Sequence, residues 1–215
     1  PPDRDLDWQE DGVAGVSRFL GRVHRLTTKY ARAAGGGADS AAGQHLLRKL
    51  HQTIGKVTLD FSGRWHFNTS IASIMILVNE IAAKEAAMDA GEISGDVIAQ
   101  VFRGLTLLLA PFAPFLAAEL WEQLGGEGAV FRVPWPVADE ALAREDEIEV
   151  PVQVNGKLAN VVKVPAGSDE ATVKAAALAD AKVAARVEGK TVAKVIVVPG
   201  KLVSLFEPHT EVIRK

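Results

Sequence analysis

The spacing of apolar residues changes near residue 148, and this change constrains the fold more than any other feature. Before that point, apolar residues recur at intervals of three and four, as in helices that bury one side. After it, Val150, Val152 and Val154 alternate with other residues, as in a half-buried strand. One regular architecture cannot satisfy both patterns. The sequence therefore predicts a multi-domain chain, an α-helical bundle followed by a small α+β domain.

The first part of the chain contains a succession of helical patterns separated by glycine and proline. The predicted helices span approximately residues 13–33, 40–61, 68–90, 94–110 and 114–124. Pro114 is interpreted as a kink or as the first turn of a new helix, because proline is tolerated there and disrupts a helix interior. The glycines between Gly125 and Gly128 end the last helix.

The second part predicts the element order β-β-α-β-β. Asn155-Gly156, between two valine-rich segments, is a strong signal for a two-residue hairpin turn. A helical segment follows over residues 169–187, with a possible break at Ala179-Asp180, and two strands are predicted at 192–198 and 202–206. The predicted domains are a helical bundle at 1–125, a connector at 126–147, an α+β domain at 148–206 and a tail at 207–215.

Composition excludes several classes of site. The chain has no cysteine, which removes disulfides, thiolate metal sites and a cysteine nucleophile. Its five histidines lack the spacing of a metal site, and no catalytic residue can be assigned. The apolar run over 105–120 is interrupted by prolines and is too short to span a bilayer. With no signal peptide at Pro1-Pro2, we expect a cytoplasmic protein without a membrane anchor.

One segment nearly matches a phosphate-binding loop. Residues 184–191 read Ala-Ala-Arg-Val-Glu-Gly-Lys-Thr, with alanine in place of the first glycine. Such a loop follows a strand and opens a helix, whose N-terminal amides hold the phosphates. Here a helix precedes and a strand follows, so Gly189 is better explained as a helix C-cap. A nucleotide-dependent enzyme built on this segment is the weakest of three hypotheses.

Basic residues are unevenly distributed. The net charge is −3, yet residues 148–215 carry 10 Lys or Arg against 7 Asp or Glu. Two sets stand out: Arg18, Arg22, Arg25 and Lys29 at helical spacing, and Lys157, Lys163, Lys194 and Lys201 on the predicted strands and turns. A solvated helix face and lysines that discourage strand aggregation would explain both sets. Phosphate contacts to RNA are the alternative.

A group of motifs in fixed order favours the RNA alternative. The run from Arg64 to Ile81 contains Phe67-Asn68-Thr69 near its start, and helix periodicity alone does not require this Phe-Asn-Thr sequence. His51-Gln52-Thr53-Ile54 precedes it, and Leu109-Ala110-Pro111-Phe112 follows it. Val154-Asn155-Gly156-Lys157-Leu158 and Val198-Pro199-Gly200-Lys201-Leu202 complete the set. Together these motifs resemble the anticodon-binding-type helical bundle and C-terminal domain of bacterial leucyl-tRNA synthetases.

The resemblance implies a tRNA-binding part of a leucine–tRNA ligase. The bundle would lie along the inner side of leucine tRNA, and the small domain would reach its elbow and long variable arm. The two basic sets become the expected tRNA contacts of a monomer. The family's two nucleotide-binding signatures are not found in this sequence. We therefore expect no catalytic residue, metal or cofactor here, and ATP and Mg²⁺ only at a catalytic domain outside the chain.

The sequence also departs from the family pattern. Ala159 and Ala193 stand where arginine is usual, and Phe115 replaces a usual histidine. Residues 1–147 are also acidic, with 14 Lys or Arg against 20 Asp or Glu. These features leave open a second hypothesis, a synthetase-derived protein-interaction scaffold with reduced RNA affinity.

Overall fold

A computed structural model describes residues 10–36, 40–63, 67–145, 147–188, 193–198 and 201–206. The chain divides between Arg144 and Glu145 into two compact units. This division falls inside the predicted connector at 126–147. The predicted tail at 207–215, the turn at Pro199-Gly200 and the start of the synthetase-like run, Arg64 to His66, lie outside the described residues.

The first unit is helical, as the sequence predicts. Its helices are α1 (Glu10–Tyr30), α2 (Ala41–Ser62), α3 (Phe67–Ala83), α4 (Glu85–Asp89), α5 (Gly95–Leu109), α6 (Pro114–Gln123) and α7 (Glu140–Ala143), with a 3₁₀ turn at Val130–Arg132. Ser40 and Ser94 cap α2 and α5 by accepting hydrogen bonds from the backbone N–H groups of Gly43 and Val97. Pro114 occupies the start of α6, so it opens a new helix.

The predicted helix over 68–90 is interrupted. The helix α3 ends at Ala83, Lys84 adopts a non-helical conformation, and α4 begins at Glu85. Glu85 and Asp89 in α4 form ion pairs with α1, while Met88 is buried in the core. Apolar spacing alone does not show this break, because Ile81 and Met88 keep a helical interval across it.

The core of the first unit forms where α1, α2, α3 and α5 meet. Its fully buried side chains include Val23, Leu26, Leu46, Leu50, Ile74, Leu77, Ile81, Phe102, Leu105 and Leu108. Burying one such side chain contributes roughly 1.5–3 kcal/mol. The core is therefore the main source of stability in the bundle, and the polar groups around it determine how its helices join.

A buried carboxylate joins α2 to α3. Asp60 is only 6% exposed, and it forms an ion pair with Lys56 one turn earlier in α2. Its Oδ2 accepts hydrogen bonds from the hydroxyls of Thr69 (2.7 Å) and Ser70 (3.3 Å) at the start of α3. Burial raises the pKa of Asp60, but the ion pair with Lys56 and the hydrogen bonds from Thr69 and Ser70 lower it by more, so the net pKa is below the usual value. The ionised form is therefore the one that the fold stabilises.

Most of the predicted connector packs on α2. The Trp135 ring lies 5.5 Å from that of Phe61, and its Nε1 donates to Thr58 (2.8 Å). The N–H of Asp139 donates to Nδ1 of His51 (3.0 Å). Two further bonds run from Gln52 and Arg48 to the carbonyls of Ala143 and Arg144. The connector is therefore packed against α2 despite its glycines and prolines. This packing explains why the first unit extends to Arg144.

The burial of His51 predicts that the free energy of unfolding depends on pH. Burial lowers the pKa of His51 from its usual 6.5, outweighing the opposite effect of Asp139. As pH falls through 6.5, the unfolded chain takes up protons at this imidazole and the folded protein does not, so the free energy of unfolding decreases. The His51→Asn variant keeps an acceptor near Nδ1 and does not titrate. Its free energy of unfolding, measured in urea, should depend less on pH between 5 and 8. If the free energy of unfolding changed equally with pH in the parent and in His51→Asn, this prediction would be contradicted.

Gly95, at the start of α5, lies against the chain that follows α1. A Cβ there would come within 2.5 Å of the Ala34 carbonyl carbon and 2.6 Å of its nitrogen and oxygen. Because backbone must move to admit the methyl group, Gly95→Ala should destabilise the protein by about 1–3 kcal/mol in urea denaturation. Gly21→Ala is the matched control: it lies within α1, nothing is within 4 Å of its Cβ position, and the change should stabilise by roughly 0.5–1 kcal/mol. If Gly95→Ala and Gly21→Ala changed the free energy of unfolding in the same direction, the close approach of Gly95 to Ala34 would be refuted.

The second unit is a four-stranded sheet with two helices. Its elements are β1 (Glu147–Val154), β2 (Lys157–Pro165), α8 (Glu170–Ala179), α9 (Ala181–Val187), β3 (Lys194–Val198) and β4 (Leu202–Phe206). The strand order is β2-β1-β4-β3, with β1 and β4 parallel and the other pairs antiparallel. This confirms the predicted α+β domain. Valines of β1, β2 and β4 pack under Val173, Ala177 and Val183 of the helices.

Two predicted local features are present. Asn155 and Gly156 have φ values of 50° and 76°, the left-handed conformations of a two-residue hairpin turn. The helical segment breaks at Asp180, whose carboxylate caps α9 and accepts a hydrogen bond from the Asn160 side chain (2.8 Å). The helix α9 also precedes β3, opposite to the order of a phosphate-binding loop. Residues Gly189 to Thr191 of that near-match lie outside the described residues.

Candidate nucleic-acid interface

The basic row on α1 is divided by its contacts. Arg25 donates two hydrogen bonds to the Glu85 carboxylate, at 2.7 and 3.0 Å. Lys29 contacts Glu85 at 2.9 Å and Asp89 at 2.7 Å. Hydrogen bonds from Arg25 and then Lys29 lower the pKa of Glu85 to about 2, and those from Lys29 to Asp89 and Glu85 raise the pKa of Lys29. Half of the row therefore joins α1 to α4.

Arg18 and Arg22 differ from the other two. Within the described residues, neither forms an ion pair, and Arg18 is exposed while Arg22 is half-buried. Both line an open cavity of about 380 Å³ with Gly15, Phe19 and Met75. Gly15 has nothing within 4 Å of its Cβ position, so the cavity is open beside this residue. A phosphate could approach here without displacing an existing partner.

This difference predicts opposite outcomes for two charge reversals. If the chain binds tRNA as the family resemblance implies, Arg18→Glu with Arg22→Glu should weaken that binding about tenfold at low salt, since exposed charge contacts contribute about 1 kcal/mol or less each. Its thermal unfolding should match that of the parent. Arg25→Glu with Lys29→Glu places like charges beside Glu85 and Asp89, so that variant should unfold at a lower temperature. Unchanged tRNA affinity in the first variant would assign Arg18 and Arg22 to a solvated face.

The sheet of the second unit has two different faces. The helices α8 and α9 cover the face of Val150, Val152 and Val154, and the following rows belong to the other face. One row consists of Leu158, Gln153, Ser204 and Ile196, and beside it lie the pairs Val161–Pro151 and Leu202–Val198. Leu158 is 56% exposed, and Val161, Ile196 and Val198 are each about 40% exposed. We call this surface the open sheet face. Exposed aliphatic side chains concentrated in this way often mark an interaction site.

The four lysines frame this surface and do not form a cluster. Lys157 and Lys194, the first residues of β2 and β3, lie at the end of the sheet that carries the Asn155-Gly156 turn. Lys163 and Lys201 lie at the opposite end. The strand alternation directs Lys163 and Lys194 to the open sheet face, one at each end. Lys163 is 3.8 Å from Glu149, and both side chains are about two-thirds exposed, so this pair is weak.

Two of the three family departures, Ala159 and Ala193, lie in the second unit and occupy different environments. Ala193 is exposed beside the hairpin end of the sheet, and its N–H donates to the Phe206 carbonyl (2.8 Å). Ala159 lies at the irregular register of β2 and packs against the core of the second unit. An arginine at 193 could reach a ligand on this end of the sheet, whereas one at 159 would first have to leave the core.

Sequence reasoning missed two parts of this arrangement. Glu85 and Asp89, which hold half of the α1 row, have an acidic spacing that could have indicated partners for it. The open sheet face could have been inferred from β2 and β3, in which valine and isoleucine occupy outward as well as inward positions. Across the described residues, His, Asp and Glu form no group of three that could hold a metal ion. None of the helices described is long and apolar enough to cross a membrane.

Comparison with known proteins identifies the class to which this arrangement belongs. Residues 43–175 match the family model described as the anticodon-binding domain of tRNA ligase. The chain belongs to this family. The match begins in α2 and ends in α8, so it includes parts of both units and leaves α1 outside.

Curated relatives narrow the comparison. The chain is 47% identical over 205 residues to the leucine–tRNA ligase of Solibacter usitatus, covering 95% of this chain and 24% of that protein. It is 43% identical over 211 residues to that of Geotalea daltonii, covering 95% and 25%. The chain thus spans about a quarter of the length of these relatives.

A solved structure shares the fold. The agnB2 LeuRS of Agrobacterium radiobacter K84, crystallised in a ternary complex with tRNA and LeuAMS, is 31% identical to this chain with a TM-score of 0.80. The similarity covers 94% of this chain and 27% of that one. It includes both the helical unit and the sheet unit, which confirms the family resemblance inferred from the ordered motifs.

Proposed function

We propose that this chain is the tRNA-binding C-terminal part of a leucine–tRNA ligase, and that it positions leucine tRNA for aminoacylation by a catalytic domain outside the chain. The observation that carries the proposal is the match, over 94% of the chain, to a LeuRS in complex with tRNA. The 43–47% identity to leucine–tRNA ligases supports leucine as the amino acid. The comparisons do not favour the interaction-scaffold alternative.

The surfaces described above supply two kinds of contact. Lys163 and Lys194 can each contact a phosphate at one end of the open sheet face, and the aliphatic rows between them can pack on the sugar and base surfaces of the RNA. Phosphate contacts position a protein without reading bases, while shape selects the RNA. Lys157 and Lys201 extend this set at the ends of the sheet, and Arg18 and Arg22 provide a separate contact in the first unit.

The proposal assigns the chemical reaction to the catalytic domain and tRNA binding to this chain. ATP and Mg²⁺ would act at the catalytic domain, and this chain would hold neither of them. The purified chain should therefore show no leucine-dependent exchange between ATP and pyrophosphate. We further propose that it acts as a cytoplasmic monomer.

A binding titration tests the proposal. Fluorescently labelled leucine tRNA is titrated with the chain at several salt concentrations, beside a tRNA that lacks a long variable arm. We expect tighter binding of leucine tRNA and a steep loss of affinity with salt, because phosphate contacts release counterions. Equal affinity for both tRNAs, or no binding at low salt, would overturn the proposal.

A further inference from the structure

The basic residues of α1 form one continuous row, although their partners divide it. Arg18, Arg22, Arg25 and Lys29 are spaced by four, three and four residues, so they lie on one face of the helix. At a rise of about 1.5 Å per residue, the row is about 16 Å long. Its first half lines an open cavity, and carboxylates of α4 occupy its second half. An RNA backbone that follows the row from Arg18 therefore meets those carboxylates.

The carboxylates of α4 lie where phosphates would bind. Glu85 accepts two hydrogen bonds from the Arg25 guanidinium, at 2.7 and 3.0 Å, and one from Lys29 at 2.9 Å. Asp89 accepts a hydrogen bond from Lys29 at 2.7 Å. Arginine offers the same paired N–H donors to carboxylate and to phosphate oxygens, and lysine offers both the same point charge. Glu85 and Asp89 therefore act as internal substitutes for two phosphates.

A competing anion can reach these ion pairs. The side chains of Arg25 and Asp89 are about half exposed, and that of Lys29 is 38% exposed. Exposed ion pairs contribute little to stability, so exchanging a carboxylate for a phosphate costs little. Met88 is buried in the core of the first unit and holds α4 there. The carboxylates can thus leave Arg25 and Lys29 while α4 stays attached.

We propose that α4 is an autoinhibitory segment: Glu85 and Asp89 occupy Arg25 and Lys29 in the free chain, and RNA phosphates displace them. This proposal rests on the proposed function, since it takes the α1 row as an RNA contact. An RNA whose backbone follows the whole row gains the second pair of contacts, whereas an RNA that reaches only its start does not. The exchange therefore favours an RNA whose shape matches the row.

Removing the two charges of α4 tests the competition. In the α4 variant, Glu85→Gln with Asp89→Asn, the amides keep the size of the carboxylates and lose their charge. We expect the full chain to bind leucine tRNA about tenfold more tightly at low salt, because Arg25 and Lys29 become available. The loss of affinity with the logarithm of salt concentration should become steeper by about two units, one for each new phosphate contact. An affinity and a salt dependence equal to those of the parent would overturn the proposal.

Two controls separate this effect from net charge. Glu127→Gln with Glu140→Gln makes the same charge change at exposed side chains that form no ion pair within the described residues, so its affinity should stay near that of the parent. Adding Arg25→Gln and Lys29→Gln to the α4 variant should remove the gain. If the gain persists without these two cations, or if the control gains as much, the carboxylates do not compete for them.

The single tyrosine of the chain reports the displacement directly. The Tyr30 hydroxyl donates to Oδ1 of Asp89 at 2.6 Å, and its ring stacks on Phe102 with the centroids 5.8 Å apart. The ring is therefore held in place while its hydroxyl senses Asp89. With isotopically labelled tyrosine, saturating leucine tRNA should move the NMR signal of Tyr30 toward its position in Asp89→Ala. A signal that does not move when tRNA binds would overturn the displacement.

Failure of this proposal and failure of tRNA positioning give different results. If the parent binds leucine tRNA and the α4 variant binds it no better, the autoinhibition alone is wrong. If the parent does not bind leucine tRNA, the proposed function fails, and a short uridine RNA then tests the competition: equal binding by the parent and the α4 variant would refute it.

A milder variant guards against misfolding of the α4 variant, which thermal unfolding detects. Asp89→Asn alone leaves the two hydrogen bonds between Arg25 and Glu85 and frees part of Lys29. It should tighten binding of leucine tRNA about threefold. Unchanged affinity in a folded Asp89→Asn protein would also overturn the proposal.

Discussion

Lys163→Glu combined with Lys194→Glu is expected to weaken binding of leucine tRNA roughly 30-fold at low salt. The two side chains lie at opposite ends of the open sheet face, and within the described residues the only ion pair either forms is the weak one with Glu149. Each reversal would remove one of the proposed contacts to phosphate and add repulsion. A loss of about 1 kcal/mol per exposed contact, at about 1.4 kcal/mol per decade, gives an effect of this size. The plot of the logarithm of the binding constant against the logarithm of the salt concentration should also become less steep by about two units.

The control for this variant lies in the same unit. Lys174→Glu with Lys182→Glu makes the same change in net charge on α8 and α9, which cover the other face of the sheet. Affinity and salt slope should stay near those of the parent. If both double variants weaken binding equally, net charge accounts for the effect and the open sheet face is not a specific RNA surface.

Asp60→Ala is expected to destabilise the first unit by about 2–4 kcal/mol in urea denaturation. The buried carboxylate accepts hydrogen bonds from Thr69 at 2.7 Å and from Ser70 at 3.3 Å. A hydrogen bond to a charged group contributes about 1.5–3 kcal/mol, and the longer bond from Ser70 contributes less. Without it, the start of α3 loses its connection to α2. The lost ion pair with Lys56 adds less, since that lysine is about half exposed.

Acid titration distinguishes this explanation from a simple loss of packing. The lowered pKa of Asp60 means that its stabilising effect is present above the usual value near 3.8 and is lost as pH falls through the folded-state pKa. Asp60→Asn keeps the shape and cannot ionise. The difference in free energy of unfolding between parent and Asp60→Asn should therefore shrink as pH drops below about 4. A constant difference across this range would show that the charge is not what joins α2 to α3.

The sequence predicted the architecture well where one signal was sufficient. Pro114, the Asn155-Gly156 turn and the change to alternating valines each specify local backbone geometry, and the structure confirms all three. The sequence did not predict the break at Lys84 between α3 and α4. Beyond the break, Glu85 and Asp89 pair with Arg25 and Lys29 of α1, and apolar spacing contains no trace of these long-range contacts.

The sequence predicted which residues could form the candidate interface, but it did not predict where they lie relative to one another. Spacing identified Lys157, Lys163, Lys194 and Lys201, yet their distribution over two ends of the sheet follows from the parallel pairing of β1 with β4, which joins strands distant in sequence. Their role in binding remains a prediction. His51 was noted only as part of a motif, since its contact with Asp139 cannot be read from residue spacing.

Hydroxyl-radical footprinting of leucine tRNA bound to this chain tests the central claim most directly. If the chain positions leucine tRNA through the open sheet face, the backbone of the elbow and the long variable arm should be protected, and Lys163→Glu with Lys194→Glu should remove that protection while the tRNA remains folded. Protection confined to the anticodon loop or the acceptor end, or an unchanged footprint in the double variant, would contradict the account.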